Sequence, residues 1–512
     1  MKPPFRRSLP MMTSSRTFLA VALVSIAALS GCGGPSSRGP GRATVPRPPS
    51  GPWLVPEVAP GSGTRAMVER LDTLARTIPP EDNFFDNNGR AERLKARLAG
   101  GVNSNTYLDL QPQLALELLN AGRPAEAIEE FTNLQKYVAD HHVNISRQHR
   151  SFLRWNLAVA ELRLGETENC LTQHTTQSCL LPIRGAGIHT IQRGSRAALA
   201  LLTEQLKEFP DDLQARWLYN IAAMTVGDYP EKVPAAWLIP PKIFESEGEA
   251  PHFTDIAGRL GLDVDDNAGG VIVDDFDNDG DLDVVASSSS MHGQLRFFRN
   301  NGDGTFTERT KEAGLLGEVG GLNLVQADYN NDGFLDLFVL RGAWLRKGGH
   351  HPNSLLRNNG DGTFDDVTEA AGVLSYHPTQ TAVWFDYNGD GWIDLYIGNE
   401  TKEDDPQPSE LYRNNGDGTF TEIAAETGLA IVGMIKAVVS ADYNNDGRPD
   451  LYVTDLWGTN RLFRNDGPRP GRSGPTAPWV FTEVGAAAGV TEPAHSFPAW
   501  FFDYDNDGWP DL

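Results

Sequence analysis

Two kinds of apolar spacing divide this chain. In the first half, "LALELLNAGRPAEAIEEFTNLQKYV" (114–138) places apolar residues every three to four positions on both sides of Gly122. This spacing predicts two helices joined at the glycine. "WNLAVAELRLGETENC" repeats the theme around Gly165, and "RAALALLTEQLKEFPDD" predicts a helix stopped at Pro210. From about residue 251 the apolar runs become short and strand-like. "LNLVQADY" and "DLFVLRG" flank a polar loop, and "SLLRNNGDGTFDDVT" folds back on itself at Asn-Gly-Asp-Gly. The same order of strand, loop, strand, long loop and hairpin recurs. The predicted architecture is a multidomain α + β chain: a helical domain, then repeated units of four short strands, as in the blades of a β-propeller.

The polar loops carry the candidate chemistry. Five occur in register: "DFDNDGDLD", "DYNNDGFLD", "DYNGDGWID", "DYNNDGRPD" and "DYDNDGWPD". They open at Asp275, Asp328, Asp386, Asp442 and Asp503, with intervals of 53, 58, 56 and 61 residues. A fixed register of this length marks repeated structural units. The first, third and fifth positions offer Asp or Asn oxygens, the sixth is Gly, and the ninth is Asp. Oxygen-only ligands with neither His nor Cys suit calcium. The expected ligand sets are Asp275, Asp277, Asp279 and Asp283; Asp328, Asn330, Asp332 and Asp336; Asp386, Asn388, Asp390 and Asp394; Asp442, Asn444, Asp446 and Asp450; and Asp503, Asp505, Asp507 and Asp511. One Ca2+ per loop is expected, bound more tightly at the first and fifth, which carry four carboxylates instead of three. An EF-hand is excluded: it needs flanking helices and a twelfth-position Glu, and Ala286, Val339, Ile397 and Val453 stand there. Asx turns closing hairpins without metal are the competing reading.

These loops, with "RNNGDGTF", Ala313-Gly314-Leu315 and Ala371-Gly372-Val373, resemble the FG-GAP/VCBS repeats of integrin α-subunit propellers. More closely, they resemble the cartilage acidic protein and ASPIC/UnbV group. The resemblance implies an integrin-α-like propeller over 253–512, with calcium loops that brace the blades and ligands that bind elsewhere. Integrin-type propellers have seven blades, whereas about four and a half units fit here. The expectation is therefore a truncated propeller that continues past Leu512. "PHFTDIAG" (251–258) reads as the last strand of a blade. Gly122, Ala127 and Phe131 resemble a tetratricopeptide repeat, which implies a TPR-like domain over 63–241, open to a peptide or protein partner, and a linker at 242–252.

Antiparallel order puts the Asp loops and the hairpin turns on one face of the blades. The long loops between second and third strands lie on the other: "SSSSMHGQ", "RGAWLRKGGHHPN", "GNETKEDDPQPSE" and "TDLWGTN". These differ from unit to unit, so a protein or glycan ligand is expected there. Trp344, His350, His351, Trp457 and Asn460 are the candidate residues. An enzyme on the propeller, a polysaccharide lyase or hydrolase, is the alternative. Glu403, Asp404 and Asp405 are its best acidic candidates, and no nucleophile–base order is evident.

The formal charge of −24 suits cations and excludes nucleic acid as a partner. "RTFLAVALVSIAALSGC" reads as a secretion signal whose apolar run is too short to span a bilayer. Its ending resembles a lipobox, which implies a signal over 1–32 and lipid on Cys32. A Gly/Pro/Ser-rich tether (33–62) would then join a membrane anchor to the folded part. Gly33 after Cys32 implies the outer membrane if the source is Gram-negative. Of the three cysteines, Cys170 and Cys179 remain as a disulfide pair in an exported chain. His174 alone does not complete a zinc site there, and His189 and the Trp217–Trp237 stretch read as packing.

Overall fold

A computed structural model describes residues 61–512 apart from 84, 174, 176, 179, 246, 247, 249–252, 346, 347, 402, 403, 472–476 and 478. The signal and lipobox, Cys32, most of the tether, Cys179, His174 and Glu403 lie outside the described residues.

The helical region comprises α1 (Ser62–Thr77), α2 (Asn87–Ala99), α3 (Ser104–Asn120), α4 (Pro124–Asp140), α5 (Arg147–Gln173), α6 (Arg193–Glu208) and α7 (Leu213–Thr225). From α2 on, each helix packs against the next in sequence. Gly122 ends α3 with a φ of +72°, and Pro124 opens α4 at its first turn, where no N–H is needed. Ala127 and Phe131 are fully buried beside Leu114, Ala115 and Leu118.

Gly165 corrects one expectation, because α5 runs unbroken through it. The glycine allows close helix packing instead. A Cβ on Gly165 would sit 3.1 Å from Ser195 Oγ, and one on Gly194 would sit 2.3 Å from the Glu161 carbonyl oxygen. Gly194→Leu should therefore lower the stability of the helical region by about 2–3 kcal/mol, read by denaturant unfolding. A loss below about 0.5 kcal/mol would show that the crossing relaxes freely.

Among the described residues, sixteen strands form four antiparallel sheets in sequential order. Blade one holds β1 (Ala268–Asp274), β2 (Asp283–Ser288), β3 (Arg296–Asn300) and β4 (Phe306–Glu308). Blade two holds β5 (Asn323–Ala327), β6 (Asp336–Leu340), β7 (Ser354–Asn358) and β8 (Phe364–Asp366). Blade three holds β9 (Thr379–Phe385), β10 (Asp394–Asn399), β11 (Glu410–Asn414) and β12 (Phe420–Glu422). Blade four holds β13 (Ile435–Ala441), β14 (Asp450–Asp455), β15 (Arg461–Pro468) and β16 (Trp479–Glu483). The fifth loop is joined only by a bridge between Phe502 and Asp511. No closed ring forms among the described residues.

The first strands of successive blades lie side by side, and three apolar cores fill the spaces between sheets. The loop's second residue supplies each seam: Phe276, Tyr329 and Tyr387 meet Phe364, Phe420 and Phe481 of the following blade, with ring centroids 6.2, 5.6 and 6.4 Å apart. Burying each ring contributes roughly 1.5–3 kcal/mol, which explains an aromatic after the first Asp of each loop. The Ala-Gly-Leu element has a similar purpose. The Ala313 and Ala371 carbonyls accept the N–H groups of Phe364 and Phe420 at 2.9 and 2.8 Å.

"PHFTDIAG" departs from its expectation. Residues 253–256 are coil, followed by a short helix, α8 (Ala257–Leu260). Phe253 is 80% exposed, because no strand among the described residues pairs with the segment. The first helix also has an unanticipated place. It lies along β8 of blade two: Thr64 Oγ1 accepts the Asp366 N–H at 2.9 Å, and Arg70 pairs with Glu369 at 2.6 Å. It thereby covers a sheet edge that would otherwise be open to other chains.

Candidate metal loops and variable face

Each of the first four Asp loops fills the space between the end of a first strand and the start of a second. Its first Asp follows the first strand, and its ninth residue, Asp283, Asp336, Asp394 or Asp450, begins the second. The first Asp closes the loop with its own backbone. Asp328 accepts the N–H of Asp332 at 3.0 Å and of Gly333 at 2.9 Å, and Asp442 treats Asp446 and Gly447 likewise. The sixth-position glycines have φ between +83° and +89°, open to glycine but strained for other residues.

The ninth-position aspartates are buried, Asp394 and Asp450 fully so. Each accepts the N–H of its loop's second residue and that of an asparagine of the third strand, as Asp394 does from Tyr387 and Asn414 at 3.1 and 2.8 Å. Burial pushes their carboxyls up, to about 7 for Asp283, 8 for Asp336, 8 for Asp394 and 6 for Asp450. A buried carboxyl in this condition is one that a cation would relieve.

Three carboxylates draw together at the two loops that carry four of them. Asp275, Asp277 and Asp283 each bring a carboxylate oxygen to within 4.8 Å of the others, and so do Asp503, Asp505 and Asp511. All donors are hard oxygens, so the residues fit Ca2+. In the middle loops the third-position amides of Asn330, Asn388 and Asn444 donate to Asp332, Asp390 and Asp446. In the first loop the Arg299 guanidinium reaches Asp277 at 2.5 Å and Asp279 at 3.0 Å. This internal cation offsets the extra carboxylate on which the expected first-loop advantage rested.

The hairpin turns are closed by their own side chains. Asp303, Asp361 and Asp417 accept both the N–H and the hydroxyl of the threonine two residues on.

The model of the FG-GAP-like repeat matches residues 250–339, 343–397, 386–453 and 442–512, about half of the chain. The chain belongs to this family. The repeats are also similar to cartilage acidic protein 1. The mouse protein is 27% identical over 306 residues, 55% of this chain and 45% of that protein. The Xenopus tropicalis protein is 28% identical over 161 residues, 30% of this chain and 23% of its own. The human protein is 32% identical over 121 residues, 22% of this chain and 17% of its own. The chain thus spans less than half the length of the curated relatives it matches.

The variable face of these FG-GAP-like repeats divides the five ligand candidates. Trp457 is 66% exposed and His350 is exposed. His351 and Asn460 correct the expectation, because both are buried, at 4% and 1% exposure. Burial pushes His351 down to about 4, which keeps it neutral. Asn460 braces its loop by donating to Ser496 Oγ at 2.7 Å. Trp344 is half-buried and holds a clamp between repeats. Its ring lies 3.8 Å from Lys436 Nζ, and its indole N–H donates to Gln380 at 3.0 Å. Its backbone N–H donates to Glu400, which also pairs with Lys436. A φ of +65° is costly for so bulky a residue, and this clamp holds it there. The sequence signal for the clamp was a lysine in "GMIKAVVSADY", inside an otherwise apolar inner strand.

Of the acidic trio, Asp404 is exposed, and Asp405 pairs with His350 at 2.9 Å. His350 faces acceptors on both sides, Asp405 at Nε2 and the Tyr376 carbonyl at Nδ1. Cys170 lies in α5, and His189 is buried against Ser195 at 3.1 Å. No described helix is long and apolar enough to cross a membrane.

Proposed function

We propose that this chain is an exported, calcium-braced binding or adhesion protein, held at a membrane by lipid on Cys32. One face of its blades binds cations and the other binds a protein or glycan. The observation that carries this reading is the contrast between faces. The Asp loops repeat in register with the same Asp, Asn and Gly pattern and are tied into the blade cores, whereas the opposite loops differ and leave Trp457 exposed. The relatives are named for an acidic cartilage protein rather than for a reaction. The helical region is proposed as a second protein-binding element.

Hydrolase or lyase chemistry has one foothold, the His350–Asp405 contact. Both ring nitrogens of His350 face protein acceptors, and neither is turned toward open space for a substrate. Trp457→Ala should weaken binding to the cognate ligand at least tenfold in a calcium-containing glycan and matrix-protein array, with the fold unchanged. Substrate turnover abolished by Asp405→Asn in a polysaccharide screen would overturn the reading.

A further inference from the structure

We propose that the buried asparagine of the third strand of a blade couples the metal loops of adjacent blades, so that cation binding is cooperative along the array. This rests on the cation-binding reading above. Asn358, Asn414 and Asn465 are the first asparagines of the hairpin segments, at 1%, 3% and 0% exposure. Each side chain reaches back one blade: the three amides donate at 2.8 Å to the carbonyls of Phe276, Tyr329 and Tyr387. Those carbonyls belong to the second residue of the preceding Asp loop.

The same asparagines donate their backbone N–H forward, to the ninth-position carboxylates of their own blades. Asn358 reaches Asp336 at 2.8 Å, Asn414 reaches Asp394 at 2.8 Å, and Asn465 reaches Asp450 at 2.7 Å. Phe276, Tyr329 and Tyr387 in turn donate their N–H to the ninth-position carboxylates of their loops, Asp283, Asp336 and Asp394. One asparagine and one loop residue therefore link ligand carboxylates in neighbouring blades. The amide is held in one orientation, because its oxygen accepts from Gly360, Gly416 or Gly467 at 3.0, 2.9 and 3.1 Å. Drawing a ninth-position carboxylate onto a cation moves the N–H donors bonded to it, and the next loop moves with them.

A second tie runs along the rim. Asn278 donates to the Gly333 carbonyl at 2.8 Å, and Asn331 donates to the Gly391 carbonyl at 3.2 Å. The third loop has Gly389 at this position, which carries no side chain to make the bond. Between the third and fourth loops the buried Asn465 is the remaining hydrogen-bonded tie of this kind among the described residues. Asn300, the equivalent in blade one, donates to Leu282 within its own blade and serves as a control.

The test is calorimetric titration of the chelator-treated full chain with CaCl2. A Hill coefficient of about 2 is expected, lowered in Asn465→Ala as the fourth loop's step separates from the three loops that stay coupled. Gly389→Asn, at a φ of +70° that asparagine tolerates, should restore the rim tie and lower the half-saturating calcium about fivefold. It remains decisive if Asn465→Ala fails to fold. Asn300→Ala should leave the coefficient unchanged. Several calcium ions bound independently by the wild type would overturn the coupling and leave the cation reading intact. No calcium uptake at all would remove the cation reading itself. An unaltered coefficient in Asn465→Ala, with no response to Gly389→Asn, would overturn the asparagine's role.

Discussion

Arg341→Met is expected to destabilise the blades by about 3–5 kcal/mol, the usual consequence of removing one partner from a buried ion pair. Arg341 leaves the end of β6 at 1% exposure and donates to Glu318 at 3.0 Å, to Ser354 at 2.6 Å and to the Val319 carbonyl at 2.8 Å. Glu318, in the connector from blade one, is fully buried, and Asp366 is buried nearby at the end of β8. Methionine would fill much of the volume but leave these carboxyls without their cation. Unfolding in urea, followed by tryptophan fluorescence, measures the loss. Adding Glu318→Leu should recover most of it, since an apolar pair of similar size is often as stable as the buried ion pair. A single-variant loss under about 1 kcal/mol would mean that water reaches the site.

The same pair gives a signed pH dependence. Burial pushes Glu318 up to about 7, opposed by Arg341, and burial raises Asp366 as well. Carboxyls raised in the folded state favour folding below their ordinary range near 4, and this contribution is lost as pH rises through neutrality. The cost of Arg341→Met should therefore be larger at pH 8 than at pH 5, where protonation relieves the carboxyls. A cost independent of pH would indicate a packing defect rather than an uncompensated charge.

Local signals made much of this fold legible. The alternating strands, the loop register and the Asn-Gly-Asp-Gly turns each depend on a few adjacent residues, and the first three blades follow all of them. Gly122 was readable for the same reason, since Pro124 follows two residues on. Gly165 was not: a glycine that ends a helix and one that admits another helix look alike until Gly194 is known to lie beside it. His351 and Asn460 stand in variable loops, but loop sequence does not reveal that these loops fold back over strand ends. The Trp344–Lys436–Glu400 clamp joins three repeats, and the Arg341–Glu318 pair joins two. No spacing within one repeat encodes either. The recurring asparagine of "RNNGDGTF" was visible throughout, but its reach into the preceding blade required the packed sheets.

Chelation of calcium is the other change expected to have a large effect. A cation that binds only the folded state contributes about 2.7 kcal/mol per site at a hundredfold excess over its dissociation constant. Two such sites would amount to about 5 kcal/mol, so excess EDTA should lower the melting temperature by roughly 10–20 °C. Asp394→Asn separates the metal from the Asx turns. An amide keeps the volume and one acceptor oxygen, so bonding to the Asn414 and Tyr387 N–H groups is only partly lost, whereas the charge that holds a cation is gone. Asp417→Asn, in the hairpin turn of the same blade, is the matched control, because Asp417 is engaged by Thr419. Asp394→Asn should shrink the calcium-dependent part of the melting temperature, and Asp417→Asn should not. If EDTA leaves the wild type unchanged, the loops are closed by their own backbone donors. The buried ninth-position carboxyls would then have to fold in their protonated form, which their upward shifts would permit near pH 6 but oppose progressively above it.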